Sequence, residues 1–121
     1  METTIENMQQ SLITIASESY RVSKVFEKVL SKLSPEDQQK YSSQFAWFFK
    51  RVTKALDQVD IKLVSIEGKE YEPGDAIVPL NIGDFPPEED LIIQQMIEPI
   101  IMSNGIILKT GTALLERREN K

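Results

Sequence analysis

The side chains that most often do chemistry in proteins are missing from this chain. Its 121 residues include no His and no Cys. That removes the usual general base, the usual zinc ligand, the usual pH switch, the thiolate nucleophile and any disulfide. Carboxylates and amines remain. Asp84, Glu88, Glu89 and Asp90 crowd around Pro86-Pro87, and Lys50, Arg51 and Lys54 form a small basic patch on one predicted helix. Two acids held across a pocket could serve as general acid and base, and a ring of carboxylates could hold a hard cation. Neither pattern is complete. The acidic stretch lacks the alternating Asp/Asn spacing and the closing Glu of a calcium loop, so it reads as a solvated loop. The glycines are scattered and none precedes a Lys-Ser or Lys-Thr pair, so no phosphate loop is present. A Ser-His-Asp triad cannot be built, although Ser-Lys variants exist on other folds. The basic trio reads as a solvated helix face with its cations toward the C-terminal half; docking of an acidic partner surface is the other reading. The expectation is a protein that is not an enzyme and uses no cofactor, no metal and no small-molecule substrate.

The 14 basic and 19 acidic residues leave a net charge of −5. An acidic chain repels phosphate backbones, which argues against nucleic acid as a partner. The most apolar stretch, Leu91–Leu108, contains Gln94, Gln95, Glu98, Pro99, Ser103 and Asn104, so it does not read as a membrane span of ~20 apolar residues. Met1–Glu6 has neither a basic nor an apolar leader region, and a cytoplasmic protein is the default expectation.

The elements that would position any site read in two blocks. In the first, Ile5, Met8, Leu12, Ile15, Ser19, Val22, Phe26, Val29 and Leu33 alternate three and four apart. That is a heptad seam, and it predicts a helix over roughly residues 4–33. Ser34-Pro35-Glu36-Asp37 is a helix start: an N-cap hydroxyl, a Pro where no amide partner is needed, and acids at the positive end of the dipole. A second helix follows with Tyr41, Phe45, Phe48, Val52, Ala55 and Val59 on one stripe, widened by Trp47 and Phe49. The join is short, so the helices should form an antiparallel hairpin. The first helix is the longer, which leaves part of its seam without an intrachain partner. An exposed apolar stripe marks an association surface, and homodimerisation through Ile5, Met8, Leu12, Ile15, Val22 and Phe26 is expected.

From Ile61 the period changes to two, as in a strand over residues 61–66. Gly68-Lys69-Glu70 reads as a turn. Residues 76–82 read as a second strand, marked as an edge by Pro79. Pro99 divides residues 91–102 into two short strands, Asn104-Gly105 signals a tight hairpin, and residues 106–109 and 112–116 are the last strands, with a turn at Thr110-Gly111. The tail from Arg117 is charged and reads as frayed. The fold class expected is α+β: an N-terminal helical hairpin forming a dimeric bundle over residues 1–59, then a small β-sheet wing over residues 60–121.

The join between the two blocks resembles that of GrpE-type nucleotide exchange factors. Leu56 opens the pattern, Val59-Asp60-Ile61 stands where the family has Phe-Gly-Val, Val64 matches an Ile, Gly68 a Gly, Tyr71 an aromatic, and Glu72-Pro73 an Asp-Pro. Asp75-Ala76-Ile77 is similar to the family's Glu-Ala-Val, with the preceding His absent. Met96–Ile101 is similar to its Val-Leu-Gln-x-Gly-Tyr strand, Asn104-Gly105 to its turn, Ile106–Lys109 to its Arg-x-aliphatic-Arg strand, and Ala113–Leu115 to its closing strand. The likeness covers about residues 15–116. It implies a co-chaperone whose helices pair and whose β wing binds the nucleotide-binding domain of a DnaK-type chaperone, favouring an open cleft and ADP release. The implied partner-contact positions are Tyr71, Ile97, Ile106 and Leu115. Departures at Ile100-Ile101 and Ile106 leave a second expectation standing, a GrpE-like dimeric adaptor or structural module without exchange activity.

Overall fold

A computed structural model describes residues 2–118 of the chain. The fold is α+β, in two compact units that divide between Lys62 and Leu63. The first unit holds α1 (Glu2–Leu30) and α2 (Pro35–Asp57). The second is built on β1 (Lys62–Val64), β2 (Ile77–Pro79), a short 3-10 turn (Ile82–Asp84), β3 (Leu91–Glu98), β4 (Ile100–Ser103), β5 (Ile106–Lys109) and β6 (Gly111–Arg117). Among the described residues no helix is long and apolar enough to cross a membrane.

In the helical unit Ser34 caps α2 as its sequence signals. Its hydroxyl accepts the amide of Asp37 at 3.3 Å, and Pro35 occupies the first turn. Phe45 is the hub of the hairpin: its ring stacks on Phe26 with centroids 4.6 Å apart and also meets Phe48 and Phe49. The inward stripe of α2 is therefore Phe45, Phe49, Val52 and Leu56, rotated from the stripe expected. Tyr41, Phe48, Ala55 and Val59 are exposed, and Trp47, expected to widen the inward stripe, points out. On α1 the fully buried residues, Ile13, Ala16, Ser17, Tyr20 and Ser23, lie off the heptad seam; of the seam itself only Leu12, Ser19, Phe26 and Leu33 are half-buried.

α2 closes with a tertiary-independent stop signal. The Asp60 amide donates to the Asp57 carbonyl and the Ile61 amide to the Leu56 carbonyl, both at 3.0 Å. Asp60 itself sits at φ 58°. This is the Schellman pattern, in which a left-handed residue turns the chain and a hydrophobic pair, here the buried Leu56 and Ile61, brackets the end. Gly usually fills that position. Asp is one of the few other residues that tolerate it, because its short polar side chain can bond locally.

The β unit contains two three-stranded sheets, ordered β1-β4-β5 and β2-β6-β3. β6 is the centre of the second: β2 runs parallel to it and β3 antiparallel. Pro79 lies on the edge strand β2, where a missing amide does not break the ladder. β6 buries Gly111, Ala113 and Leu115 in strict alternation. β3 buries Leu91 and Ile93, then Met96, because register shifts between Ile93 and Gln95 and between Met96 and Glu98 insert extra residues. Pro99 divides β3 from β4 as expected, and the Asn104-Gly105 turn, at φ 52° and 77°, joins β4 to β5. The Thr110-Gly111 turn expected between the last two strands is a crossing between sheets. β5 and β6 belong to different sheets, and Gly111 is the first residue of β6. Arg117 and Arg118, the expected start of a frayed tail, are held by the fold. Arg117 ends β6, the Arg118 amide donates to the Asp90 carbonyl at 3.1 Å, and residues 119–121 lie outside the described residues.

Replacing Asp60 with Gly should leave the unfolding free energy from urea titration within about 0.5 kcal/mol of the parent, while Asp60→Val should cost roughly 1–2 kcal/mol, since a β-branched residue resists positive φ. A second expectation concerns Gly111. A Cβ there would stand 2.7 Å from the Glu98 carbonyl oxygen and 3.1 Å from the Ile100 amide nitrogen. Both are backbone atoms, so Gly111→Ala should destabilise by about 1–3 kcal/mol in equilibrium unfolding, whereas Gly74→Ala, which meets nothing, should not.

Candidate functional site

The segment Glu67–Asp75 is built as a clasp along the outer edge of β3. The Gly68 amide donates to the Ile93 carbonyl at 2.7 Å, the Ile93 amide to Lys69 at 2.9 Å and the Tyr71 amide to Leu91 at 2.8 Å. The Glu67 carboxylate accepts the Met96 amide at 2.7 Å, where the irregular register would leave that donor without a strand partner. The turn is then tied to itself. Lys69 Nζ reaches both oxygens of Asp75 at 2.8 and 3.0 Å, and Asp75 Oδ2 also accepts the Glu72 amide at 2.9 Å. Burial is the largest influence on the Asp75 carboxyl and pushes its pKa up. The Lys69 and Glu72 hydrogen bonds and the Lys69 charge together outweigh it, and the pKa lies below its ordinary value. The Lys69 amine is held above its usual value, first by its hydrogen bond to Asp75 and then by the nearby carboxylates, against some desolvation.

Across from this clasp, Asn81 anchors the acidic loop. Its side chain donates to the Leu115 carbonyl at 2.9 Å and accepts the Leu115 amide at 2.8 Å, so it mimics one more rung of strand beside β6. Between clasp and loop lies a cleft of about 390 Å³ lined by Tyr71, Pro73, Phe85, Pro87, Glu89 and Leu91, among others. Arg117 ties down two of the lining residues: its Nε bonds Glu89 Oε1, and its guanidinium lies 5.5 Å from the Phe85 ring centroid. Among the described residues no three acids converge in the way a metal ion needs.

The four expected contact positions do not form one surface. Tyr71 is half-buried in the cleft beside the start of β3. Ile97 is half-buried near the far end of that strand, on the order of 20 Å away at ~3.3 Å per residue. Ile106 belongs to the other sheet, directly after the Asn104-Gly105 turn, and is 65% exposed. Leu115 is only 2% exposed in the middle of β6 and presents nothing to a partner; its place is in the core because β6 alternates inward and outward from Gly111. Ile107 shares the hairpin with Ile106 and is also exposed, an exposed apolar residue that the sequence reading did not single out.

In the helical unit Ile5, Met8, Ile15 and Val22 are exposed, Leu12 is half-buried, and Phe26 is engaged inside the hairpin by its stack on Phe45. Phe26 is thus a poor interface residue. Val25 and Val29 on α1, and Tyr41 and Phe48 on α2, are exposed instead. At 100° per residue, Ile15, Val22 and Val29 lie about a quarter turn from the α2-facing side of α1, and Tyr41 and Phe48 about a quarter turn from the α1-facing side of α2. In an antiparallel pair those flanks fall on the same side. The result is one continuous apolar face made by both helices. The α2 stripe bearing Lys50, Arg51 and Lys54 points away from α1, with the Arg51 guanidinium 5.0 Å over the exposed Trp47 ring.

The clasp sets a pH dependence. Stability from the lowered Asp75 pKa is present above the unfolded carboxylate value of ~3.9 and is lost as pH falls through the lower folded value. Stability from Lys69 is present below ~10.4 and is lost as pH rises through its raised folded value. Asp75→Asn should therefore be less stable than the parent at neutral pH, and the gap in urea midpoint should close as the pH is taken below about 4. A gap that stays constant down to acid pH would contradict this.

No family model matches this chain, and no match is found among curated proteins or among solved structures.

Proposed function

We propose that this chain is a homodimeric nucleotide exchange factor of the GrpE type. Two copies pair through the apolar face of the helical hairpin. The β unit engages the nucleotide-binding domain of a DnaK-type chaperone and speeds ADP release. No bond is made or broken by the protein itself. It acts by preferring the open state of its partner, and a ligand shifts such an equilibrium only by its difference in affinity for the two states.

The observation that carries the reading is the closure of α2. The resemblance puts a Gly at residue 60, and the backbone there has the positive φ that a Gly would serve, 58°. β1, the Gly68 turn at φ 86° and Tyr71 then follow in the order the resemblance implies. The exposed Ile106 at the β4–β5 tip supports a partner contact there. The dispersal of Tyr71, Ile97 and Ile106, with Leu115 buried, favours the second reading, a dimeric adaptor of the same fold without exchange activity.

Labelled ADP leaving a DnaK-type chaperone, followed by stopped flow, separates the two. The exchange reading expects faster release with the protein present and at least tenfold weaker capture by Ile106→Asp, about 1.4 kcal/mol. Unchanged release by the parent protein leaves the adaptor. In the same preparations Ile15→Asp with Val22→Asp should lower the sedimentation mass from dimer to monomer. A parent protein that sediments as a monomer at high micromolar concentration would remove the dimer from both readings.

A further inference from the structure

We infer that the outward face of α2 around Trp47 is a docking site for an acidic segment of another polypeptide, one that carries two or more carboxylates beside a large apolar side chain. The site lies on the helical unit and does not rest on the exchange reading, which places its strongest contact at Ile106 in the β unit.

Two short rows of side chains make this face. Trp47 and Arg51 are four residues apart, as are Lys50 and Lys54, and such pairs are neighbours on a helix surface. All four are exposed, and together with Ala55 and Gln58 they line one hollow of about 530 Å³ that has no acid in its walls. From Gln38 to Leu56 the helix contains no Asp or Glu. The next acid, Asp57, is bonded by Lys62. Lys50, Arg51 and Lys54 make no ion pair among the described residues.

Three cations gathered without a counter-charge say what the face takes. Like charges one turn apart repel, and a carboxylate between Lys50 and Lys54 replaces that repulsion with attraction. The Arg51 guanidinium lies 5.0 Å from the Trp47 ring centroid. A stacked guanidinium is held in place before the partner arrives and keeps its forked N–H donors for a carboxylate. Trp47, 62% exposed, adds a broad apolar surface, and Trp and Arg are the side chains that most often carry binding energy at interfaces. The ring receives the apolar side chain next to the partner's carboxylates. A bilayer or a nucleic acid fits less well. Each spreads negative charge over an area far larger than this face, and the chain's net charge of −5 becomes −8 once these three cations are set aside, so the remainder repels such a surface. A short acidic segment meets the face alone. The face points away from α1 and is not part of the apolar flank proposed for the dimer.

Trp47 is the only Trp in the chain, so its fluorescence reports on the site directly. The test titrates the full chain with a peptide of alternating Glu and Leu in a Gly-Ser frame, free of aromatic residues. The emission should shift and saturate, with an affinity that falls as salt is raised. A peptide with Gln in place of Glu should produce no shift, and one with Ser in place of Leu should bind more weakly. Arg51→Gln, and separately Lys50→Gln with Lys54→Gln, change exposed side chains that hold no ion pair; each should weaken binding at least tenfold at an unchanged melting temperature. No shift with the Glu-Leu peptide at millimolar concentration, an equal shift with the Gln peptide, or undiminished binding by both variants would overturn the site. So would a shift with phosphatidylserine vesicles or single-stranded DNA where the peptide gives none, because the occupant would then be a membrane or a nucleic acid. A fall in sedimentation mass on Lys50→Gln with Lys54→Gln would do the same, because the occupant would then be a second copy of the chain.

Discussion

The close approach of Gly111 to the backbone on either side of Pro99 is the constraint on which the β unit depends. The chain leaves the β2-β6-β3 sheet at Pro99 and returns to it at Gly111, so these two crossings between the sheets meet at one point. Pro99 is fully buried and cannot donate to a ladder, which ends β3 and frees β4 to join the other sheet. Gly111 has no Cβ, which lets β6 begin against that corner. Its amide still finds an acceptor, the Ala76 carbonyl at 3.0 Å, which also starts the parallel pairing with β2. Every surface on the unit follows from this stitch. The β4–β5 hairpin is sent out to present Ile106, while β6 runs on to place Leu115 in the core and Arg117 beside the cleft.

The helical unit is organised by a different economy of apolar surface. One aromatic hub, Phe45, holds the hairpin together, and the small buried residues Ala16 and Ser17 leave room for close packing along α1. Far more apolar surface is present than two helices can cover. An aliphatic seam that alternates three and four has two flanks, and burying one leaves the other in water. Ile15, Val22 and Val29 remain outside for that reason. A second hairpin would bury that flank by the same packing.

The polar groups of the β unit are engaged in holding the fold. Its carboxylates are divided by the fold into different tasks. Glu67 repairs a bulge in β3, Asp75 closes the clasp, and Glu89 meets Arg117 at the cleft. The cleft is thus a by-product of how the β3 edge is covered, with largely apolar walls and one acid, Glu89, paired with Arg117.

Local chemistry determined a great deal from the sequence alone. The Ser34-Pro35 start, the Pro99 break, the Asn104-Gly105 turn and the change of period near Ile61 are each decided by neighbours within a few residues, and each forms as its residues require. What the sequence could not decide is which side of an element meets which other element. The seam of α1 is real, yet the deepest burial goes to Ile13, Ala16 and Tyr20 beside it, and α2 turns Trp47 outward, because the winning face is the one that finds a neighbour. Thr110-Gly111 has the composition of a turn and is a crossing between sheets, since only the partner strand tells the two apart. Leu115 and Ile106 are both aliphatic residues on short strands. Alternation along β6 buries the first and the hairpin tip exposes the second, and that difference, which decides what a partner can touch, exists only once the strands have paired.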